Sequence, residues 1–283
     1  MANPEPWLTV VTVVWNDKAA LADTLLSVSS QQVSGVEHLI IDGASSDGTK
    51  ELALAWAARD ARITVQSEPD QGIYDAMNKG IAAANGRYLH FLNAGDRYLN
   101  KAALAVVLDQ LQREPVVWLR TPVVFVNASG QPSRPVPFPA FHAKSFIAGD
   151  QPVYHQGAFM TRAELAQLGG FRLEYPIAAD YDLMQRALAA GIVPASVSEV
   201  LVEVDDAGVS TQQWPRALLD VHRSRTQSAG LTRRAWSAGQ TGYKLAATAA
   251  RRTARRSAER ILGSQRTARL RGVPESSNFL AAP

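Results

Sequence analysis

Four short apolar runs lie in the first hundred residues, Leu8 to Val14, His38 to Ile41, Ile63 to Gln66 and Tyr88 to Leu92, and stretches with helical periodicity separate them. The helices are expected over Lys18 to Gln32, Glu51 to Arg59 and about Gly72 to Ala84. This βαβαβαβ alternation predicts an α/β fold with a mostly parallel sheet flanked by helices. Such sheets bind ligands beyond the carboxyl ends of their strands. Asp42 closes the second run, Asp70-Gln-Gly-Ile-Tyr-Asp-Ala-Met-Asn-Lys-Gly80 follows the third, and Asn93-Ala-Gly-Asp96 follows the fourth. A lone acid such as Asp96 just past a strand suits a hard divalent cation, Mn2+ or Mg2+, which takes oxygen ligands. The region reads as a metal and diphosphate site.

The second half is less regular. A helix is expected near Ala102 to Gln112, extended chain over Val116 to Val126 and a turn at Asn127-Ala-Ser-Gly130. Pro132, Pro135, Pro137 and Pro139 are expected to exclude regular structure and leave a loop near the site. Gln156 to Thr161 reads as a strand, Arg162 to Leu168 as a short helix, Asp180 to Ala190 as a helix closed by Gly191, and Ser196 to Val204 as a strand. From Trp214 the pattern is helical. The expected division is an α/β domain over 1–212, a basic helical extension over 213–263 and a mobile tail over 264–283.

With 283 residues, 46% apolar and 19% charged, the chain can bury one large core, or one core and an appendage. The absence of cysteine excludes a disulfide framework, a thiolate zinc site and a thiol nucleophile. Met-Ala-Asn-Pro-Glu-Pro lacks the features of a signal peptide, and no run of about 18 apolar residues occurs, so a cytoplasmic location is expected. The net charge of +3 conceals an asymmetry: residues 1–215 carry 15 Lys+Arg against 23 Asp+Glu, and residues 216–283 carry 14 against 3. In the basic part Trp236, Tyr243, Leu245, Ile261 and Leu262 interleave with arginines, which suits an anionic membrane surface. A solvated Ala/Arg helix is the other reading. Nucleic acid is not expected as a partner, since the rest of the chain is acidic and shows no nucleic-acid motif.

Asp42 can accept from a nucleobase imide or a ribose hydroxyl, whereas Asp47 and Thr49 read as a turn and helix cap. No Gly-x-Gly-x-x-Gly and no Gly-Lys-Ser/Thr loop is present, which argues against nicotinamide enzymes and P-loop ATPases. Asp75, Asn78 and Lys79 share one helix face, either to bind phosphate or as a solvated face with an internal ion pair. Asp180 and Asp182 open a helix, where carboxylates are favoured by the dipole whatever their function; two within three residues leave one free to act as a base. His155-Gln156 precedes an apolar segment, and the histidine reads equally as structural or catalytic.

Together these residues resemble family 2 glycosyltransferases, the inverting, nucleotide-sugar-dependent group with the GT-A (Rossmann-like) fold. The resemblance covers roughly residues 7–212. It is carried in order by Thr12-Val-Val-Trp-Asn16, Ile41-Asp-Gly-Ala-Ser-Ser-Asp-Gly-Thr49, Asp70 to Gly80, Phe91-Leu-Asn-Ala-Gly-Asp96, His155-Gln156, Ala179-Asp-Tyr-Asp-Leu183 and Gly208-Val-Ser-Thr211. The nearest likeness is to bacterial enzymes of exopolysaccharide, colanic-acid and glycolipid assembly.

The resemblance implies a GDP-, UDP- or dTDP-sugar donor held by Thr12, Trp15, Asn16, Asp42, Asp70, Gly72, Asp75, Asn78, Lys79, Asn93 and Ala94, with Asp42 on the base. It makes Asp96 the metal-binding acid and Asp180 the general base, with Tyr74, His155, Gln156, Tyr181 and Asp182 around the acceptor. The acceptor, a glycan or a lipid-linked sugar, would enter between the 130s loop and the Tyr154 region. Three departures stand out: Asn93 and Gly95 occupy places where acids are common, Met77 replaces a common arginine, and Ala179 precedes the base where glutamate is common. The Gln-x-x-Arg-Trp signature of processive synthases is absent, so addition of one sugar is expected. The rival readings are a nucleotidyltransferase, although Thr12 to Ala19 has no glycine for a triphosphate loop, and a catalytically silent scaffold that uses its basic end to join a membrane complex. A homo-oligomer stays open.

Overall fold

The computed structural model of the chain describes residues 5–262 except 128–129, 135–137, 150–152, 207 and 228–230. The leading half alternates as expected: β1 (Leu8–Val14), α1 (Lys18–Ser29), β2 (Val36–Asp42), α2 (Thr49–Ala57), β3 (Ile63–Ser67), α3 (Ile73–Ala83) and β4 (Tyr88–Phe91). There follow β5 (Arg97–Tyr98), α4 (Ala103–Arg113), β6 (Trp118–Arg120), β7 (Val123–Val126), β8 (Pro132–Arg134), α5 (Ala143–Ile147) and a 3-10 turn at His155–Gly157. The chain continues through β9 (Ala158–Thr161), α6 (Arg162–Gln167), α7 (Ala179–Ala189), β10 (Ala195–Ser196), β11 (Val202–Asp205), α8 (Val209–Gln212), α9 (Trp214–Thr226) and α10 (Leu231–Leu262).

The larger sheet runs β10-β6-β9-β4-β1-β2-β3. All of its pairings are parallel except those of β9, which lies antiparallel between β4 and β6. Alternation along β1 explains the two-sided core. Val11 and Val13 pack with α3, α6 and α7 through Met77, Leu165 and Leu183, while Leu8 and Val10 pack on the opposite face with Leu104 and Leu108 of α4. Helix packing on both faces buries all seven residues of β1.

A second sheet, β5-β11-β7-β8, lies beyond the carboxyl end of β4 and corrects three expectations. The extended stretch from Val116 breaks at Thr121-Pro122, so that β6 joins the large sheet and β7 the small one. Ser196 to Val204 likewise divides into β10 and β11, one in each sheet. Pro132, expected to exclude regular structure, opens β8, an edge strand where a missing N–H need not break a ladder. Pro135 and Pro137, and the tail over 264–283, lie outside the described residues.

Three basic side chains of the extension reach backbone carbonyls. Arg225 donates to the Ala148 carbonyl (2.8 Å), and Lys244 Nζ donates to the carbonyls of Ala148 (3.1 Å) and Gly149 (2.7 Å), at the end of α5. Arg252 donates to the Thr211 carbonyl (2.9 Å) and lies over the Trp214 ring. Tyr243 and Arg251 are exposed, and the side chains of Trp236, Arg233, Arg234, Arg255, Arg256, Arg260, Ile261 and Leu262 lie outside the described residues.

Gly86 fixes the entry to β4. A Cβ placed there would lie 2.4 Å from the Thr9 nitrogen and 2.7 Å from the Leu8 carbonyl carbon, both backbone atoms. Gly86→Ala is expected to cost about 1–3 kcal/mol through this overlap and to lower the melting temperature by roughly 2–4 °C per kcal/mol. Thermal denaturation followed by circular dichroism checks this, and an unchanged midpoint contradicts it.

Candidate functional site

The carboxyl ends of β1, β2 and β4 and the amino ends of α3 and α7 meet on one side of the large sheet. On the donor side, Asp42 is fully buried at the end of β2. Its Oδ2 accepts from the Ser45 amide (3.1 Å) and the Ser67 hydroxyl (2.6 Å), whereas Oδ1 has no hydrogen-bond partner among the described residues. Gly43, next in sequence, is hemmed in: a Cβ there would lie 2.5 Å from Asp70 Oδ2 and 3.2 Å from the Trp15 ring. Trp15 is 69% exposed and offers a flat apolar face beside this cleft. Asn16 stitches the two neighbouring loops, its N–H donating to Ser45 Oγ (2.7 Å) and its Oδ1 accepting from the Ser46 amide (2.8 Å). Ala44 has φ +59, a strained value for a residue with a side chain. Asp47 caps its own turn onto Thr49, as the sequence suggested.

Asp70 Oδ1 accepts from the Gly72 amide (2.8 Å). Gly72 itself has φ +117 and ψ 176, a region open essentially only to glycine. Asp75 accepts from the Gln71 amide (3.0 Å) at the start of α3. Lys79 Nζ donates to the Pro69 carbonyl (2.6 Å) and pairs with Glu68 at 3.0 Å, so its charge is already partnered.

At the end of β4, Ala94 and Gly95 turn the chain so that Asp96 points inward. Thr24 of α1 holds this turn: its hydroxyl donates to the Asp96 carbonyl (2.8 Å) and accepts from the Gly95 amide (3.0 Å). Asp96 is 4% exposed; Oδ1 accepts from the Asp205 amide at 3.1 Å, and Oδ2 has no hydrogen-bond partner among the described residues. Burial pushes its carboxyl up to about 7, an effect offset in part by nearby His155, the Asp205 amide and the Gln156 side chain. Among the described residues no three His, Cys, Asp or Glu side chains cluster as a metal cage. One unsatisfied buried carboxylate oxygen nevertheless fits a Mn2+ or Mg2+ ion that takes its other ligands from substrate phosphates and water.

On the acceptor side, His90 of β4 anchors the 3-10 turn. Burial lowers its pKa to about 4, so the ring is neutral, and Nε2 donates to the Gln156 carbonyl (2.8 Å) while Nδ1 accepts from the Tyr98 hydroxyl (2.7 Å). The turn then presents His155 to two partners, Asn93 Nδ2 at its Nε2 and Asp180 Oδ2 at its Nδ1, each at 3.1 Å. Asp180 Oδ1 accepts from the Tyr181 amide (2.8 Å) and shares the Tyr74 hydroxyl (3.2 Å) with the Ile177 carbonyl (3.0 Å). Burial first, and the charge of Asp180 second, hold the Tyr74 pKa well above its ordinary value, so Tyr74 stays a donor.

Four residues expected in the site have their polar side-chain atoms engaged by other parts of the chain. Thr12 is fully buried with its hydroxyl 2.9 Å from His38 Nε2. Asn78 clamps the backbone of Phe171 with both amide atoms, at 2.8 Å each, and so shapes the 170s loop instead of touching a donor. Asp182 is 3% exposed, pairs with Arg186 at 2.8 Å and accepts from the Ser224 hydroxyl (3.2 Å), partners that a buried carboxylate needs. Tyr181 donates to the carbonyls of Phe146 (3.1 Å) and Ile147 (3.0 Å), bracing α5 instead of facing an acceptor. Thr24, His90 and Asp205 were missed. Only the register of elements distant in sequence brings them to Asp96 and the 3-10 turn.

The raised Asp96 pKa has a stability consequence. Between about pH 4 and pH 7 the folded chain retains a proton that the unfolded chain releases, so the contribution of this group is present in acid and lost as the pH rises to about 7. In metal-free buffer Asp96→Asn is expected to gain roughly 3 kcal/mol relative to the unmodified chain between pH 5 and pH 8, at 1.36 kcal/mol per pKa unit. Urea titrations at the two pH values check this, and a constant difference contradicts it.

Comparison with known proteins bears on this geometry. Residues 9–169 match the family described as Glycosyl transferase family 2. An uncharacterized glycosyltransferase of Mycobacterium tuberculosis is 35% identical over 232 residues, covering 77% of this chain and 85% of the relative. A PGL/p-HBAD biosynthesis glycosyltransferase of Mycobacterium bovis is 27% identical, covering 65% of this chain and 70% of the relative. Among solved structures, the mannosyltransferase PcManGT from Pyrobaculum calidifontis in complex with GDP-Man and Mn2+ superposes with a TM-score of 0.61 at 19% identity, over 87% of this chain and 76% of that one. S. aureus TarS 1-349 in complex with UDP-GlcNAc gives 0.59 at 15% identity, over 77% of this chain and 66% of that one.

Proposed function

Since the chain belongs to glycosyl transferase family 2 and is a glycosyltransferase of the GT-A fold, we propose that it transfers one sugar, with inversion, from a nucleotide diphosphate donor to a hydroxyl of a glycan or lipid-linked acceptor. The observation that carries this reading is the pairing of a hydrogen-bonded carboxylate, Asp180, with a buried carboxylate, Asp96, whose Oδ2 lacks a partner among the described residues, joined through Asn93 and His155. The names of relatives support a role in cell-envelope polysaccharide or glycolipid synthesis: the PGL/p-HBAD enzyme of Mycobacterium bovis and a putative teichuronic acid biosynthesis glycosyltransferase of Bacillus subtilis.

On this reading the base of a GDP-, UDP- or dTDP-sugar rests against Trp15 and gives its imide N–H to Asp42 Oδ1. Asp70 and the Gly72 turn shape the cleft below the ribose. Asp96 would hold the divalent ion, which supplies charge neutralisation to the diphosphate when bound. An acceptor hydroxyl approaches the anomeric carbon from the face opposite the diphosphate. As its oxygen bonds to that carbon, the bond from carbon to phosphate oxygen breaks, its electron pair leaves with the diphosphate, and the hydroxyl proton passes to Asp180. Lys79, already partnered, contributes little to the leaving group.

Work at the inner face of the cell membrane would account for the basic extension. No helix among the described residues is long and apolar enough to cross a membrane, while Tyr243 and Arg251 stand exposed on α10, an arrangement suited to an anionic lipid surface.

Turnover of GDP-, UDP- and dTDP-sugars with and without Mn2+ tests the reading. One donor class is expected to turn over with metal and to lose its dependence and most of its rate in Asp96→Ala. Asp180→Asn is expected to lose about 10²–10⁴-fold in kcat at unchanged donor KM, the range of a positioned base. Near-normal transfer by Asp180→Asn sinks the base assignment, and a chain inert to every donor with a lipid acceptor present moves the scaffold reading forward.

A further inference from the structure

The contacts around Asp180 specify more than its identity as a base, and the role inferred for its neighbour His155 rests on Asp180 acting as that base. His155 lies between an amide and a carboxylate. Asn93 Nδ2, a donor, faces Nε2 at 3.1 Å, so with the amide in this orientation Nε2 bears no proton; Asn93 Oδ1 has no hydrogen-bond partner among the described residues. The Asp180 carboxylate oxygen facing Nδ1 at 3.1 Å can only accept, so Nδ1 bears the proton. In this arrangement the Nδ1–H of His155 donates to Asp180 Oδ2 and its Nε2 accepts from Asn93. The ring has little freedom to leave this arrangement: its side chain is 13% exposed, and its carrier turn is pinned by His90 through the Gln156 carbonyl.

The two carboxylate oxygens are then unequal. Oδ1 already faces two donors, the Tyr181 amide and the shared Tyr74 hydroxyl. Among the described residues Oδ2 faces one, His155, and with two lone pairs it keeps one acceptor position. Behind the pair lies a cavity of about 20 Å³, lined chiefly by apolar side chains including Leu89, Phe91, Met160 and Phe171. It has room for about one water, and His155 and Asp180 are the polar side chains on its wall, so it offers the carboxylate little alternative partnership.

We propose that His155 is a positioning residue that makes Asp180 Oδ2 the atom receiving the acceptor's proton, with Asn93 setting the histidine tautomer from the donor side. The hydroxyl proton moves to the remaining lone pair of Oδ2 while the Nδ1–H bond to the same oxygen stays intact, so His155 gains and loses no proton. Asn93 begins the turn that ends at Asp96, so the donor segment and the base share one hydrogen-bonded chain.

Two measurements test this on the full-length protein. Long-range ¹H–¹⁵N correlation spectra, with the His155 signals assigned by comparison with His155→Gln, are expected to show the Nδ1–H tautomer at neutral pH and its loss in Asn93→Ala. An Nε2–H tautomer or a doubly protonated ring in the unmodified chain overturns the proposal without recourse to activity. The second measurement is Mn2+-supported hydrolysis of GDP-, UDP- and dTDP-sugars. His155→Asn, whose amide nitrogen takes the place of Nδ1, is expected to stay within about tenfold of the unmodified chain, and His155→Leu to lose about 10–100-fold in kcat at unchanged donor KM, the scale of orienting partners. Equal impairment of both variants, or normal kcat in His155→Leu, overturns it. Asp180→Asn separates the two levels: its retaining activity refutes the base assignment itself, while its inactivity alongside a normal His155→Leu refutes only the role of His155.

Discussion

Parallel strands cannot be joined by tight turns, and each crossover must pass over a face of the sheet before the next strand begins. That constraint sends β1, β2, β3 and β4 in one direction and delivers four carboxyl ends to one edge. Asp42, Asp70 and the Asn93–Asp96 turn are neighbours for this reason, although the sequence separates them by tens of residues. The antiparallel β9 then returns the chain beside β4, which sets the turn carrying His155 against Asn93.

The edge is stiffened by buried and half-buried polar groups whose partners are nearly all backbone or neutral side chains. Thr24 fixes the Asp96 turn, His90 the 3-10 turn and Asn78 the loop before α7. Such groups are costly to bury unless bonded, so each bond removes alternative arrangements as well as adding stability. Asp42 Oδ1, Asn93 Oδ1 and Asp96 Oδ2 break the pattern, buried acceptor atoms without partners among the described residues, on the side of the sheet where ligands bind.

The leading half of the fold was legible because its signal is burial itself. Leu8 to Val14 is apolar or β-branched throughout and is buried throughout. The small second sheet was not legible, since β5 has two residues and β8 opens on a proline, and neither leaves a period to read. In the site, Asp42, Asp70, Asp96 and Asp180 could be placed because strand ends and helix starts are visible in a sequence. Asn78 and Asp182 could not be separated from them, since a polar residue on the correct helix face reads the same whether it meets a ligand or the backbone of Phe171. Thr24 and Asp205 act through a hydroxyl and a backbone amide brought in from afar, which no local pattern marks.

The docking of α10 has an electrostatic corollary. Arg225, Lys244 and Arg252 grip backbone carbonyl oxygens. A carbonyl oxygen carries no net charge, so these contacts order the groups without themselves supplying a counter-charge. With 14 Lys+Arg against 3 Asp+Glu over residues 216–283, the extension carries a net positive charge whose field reaches over about one Debye length, roughly 8 Å at physiological ionic strength. Adding salt would shorten that reach before it loosened the helix, because the short-range contacts that dock the extension are screened far less than the field it casts.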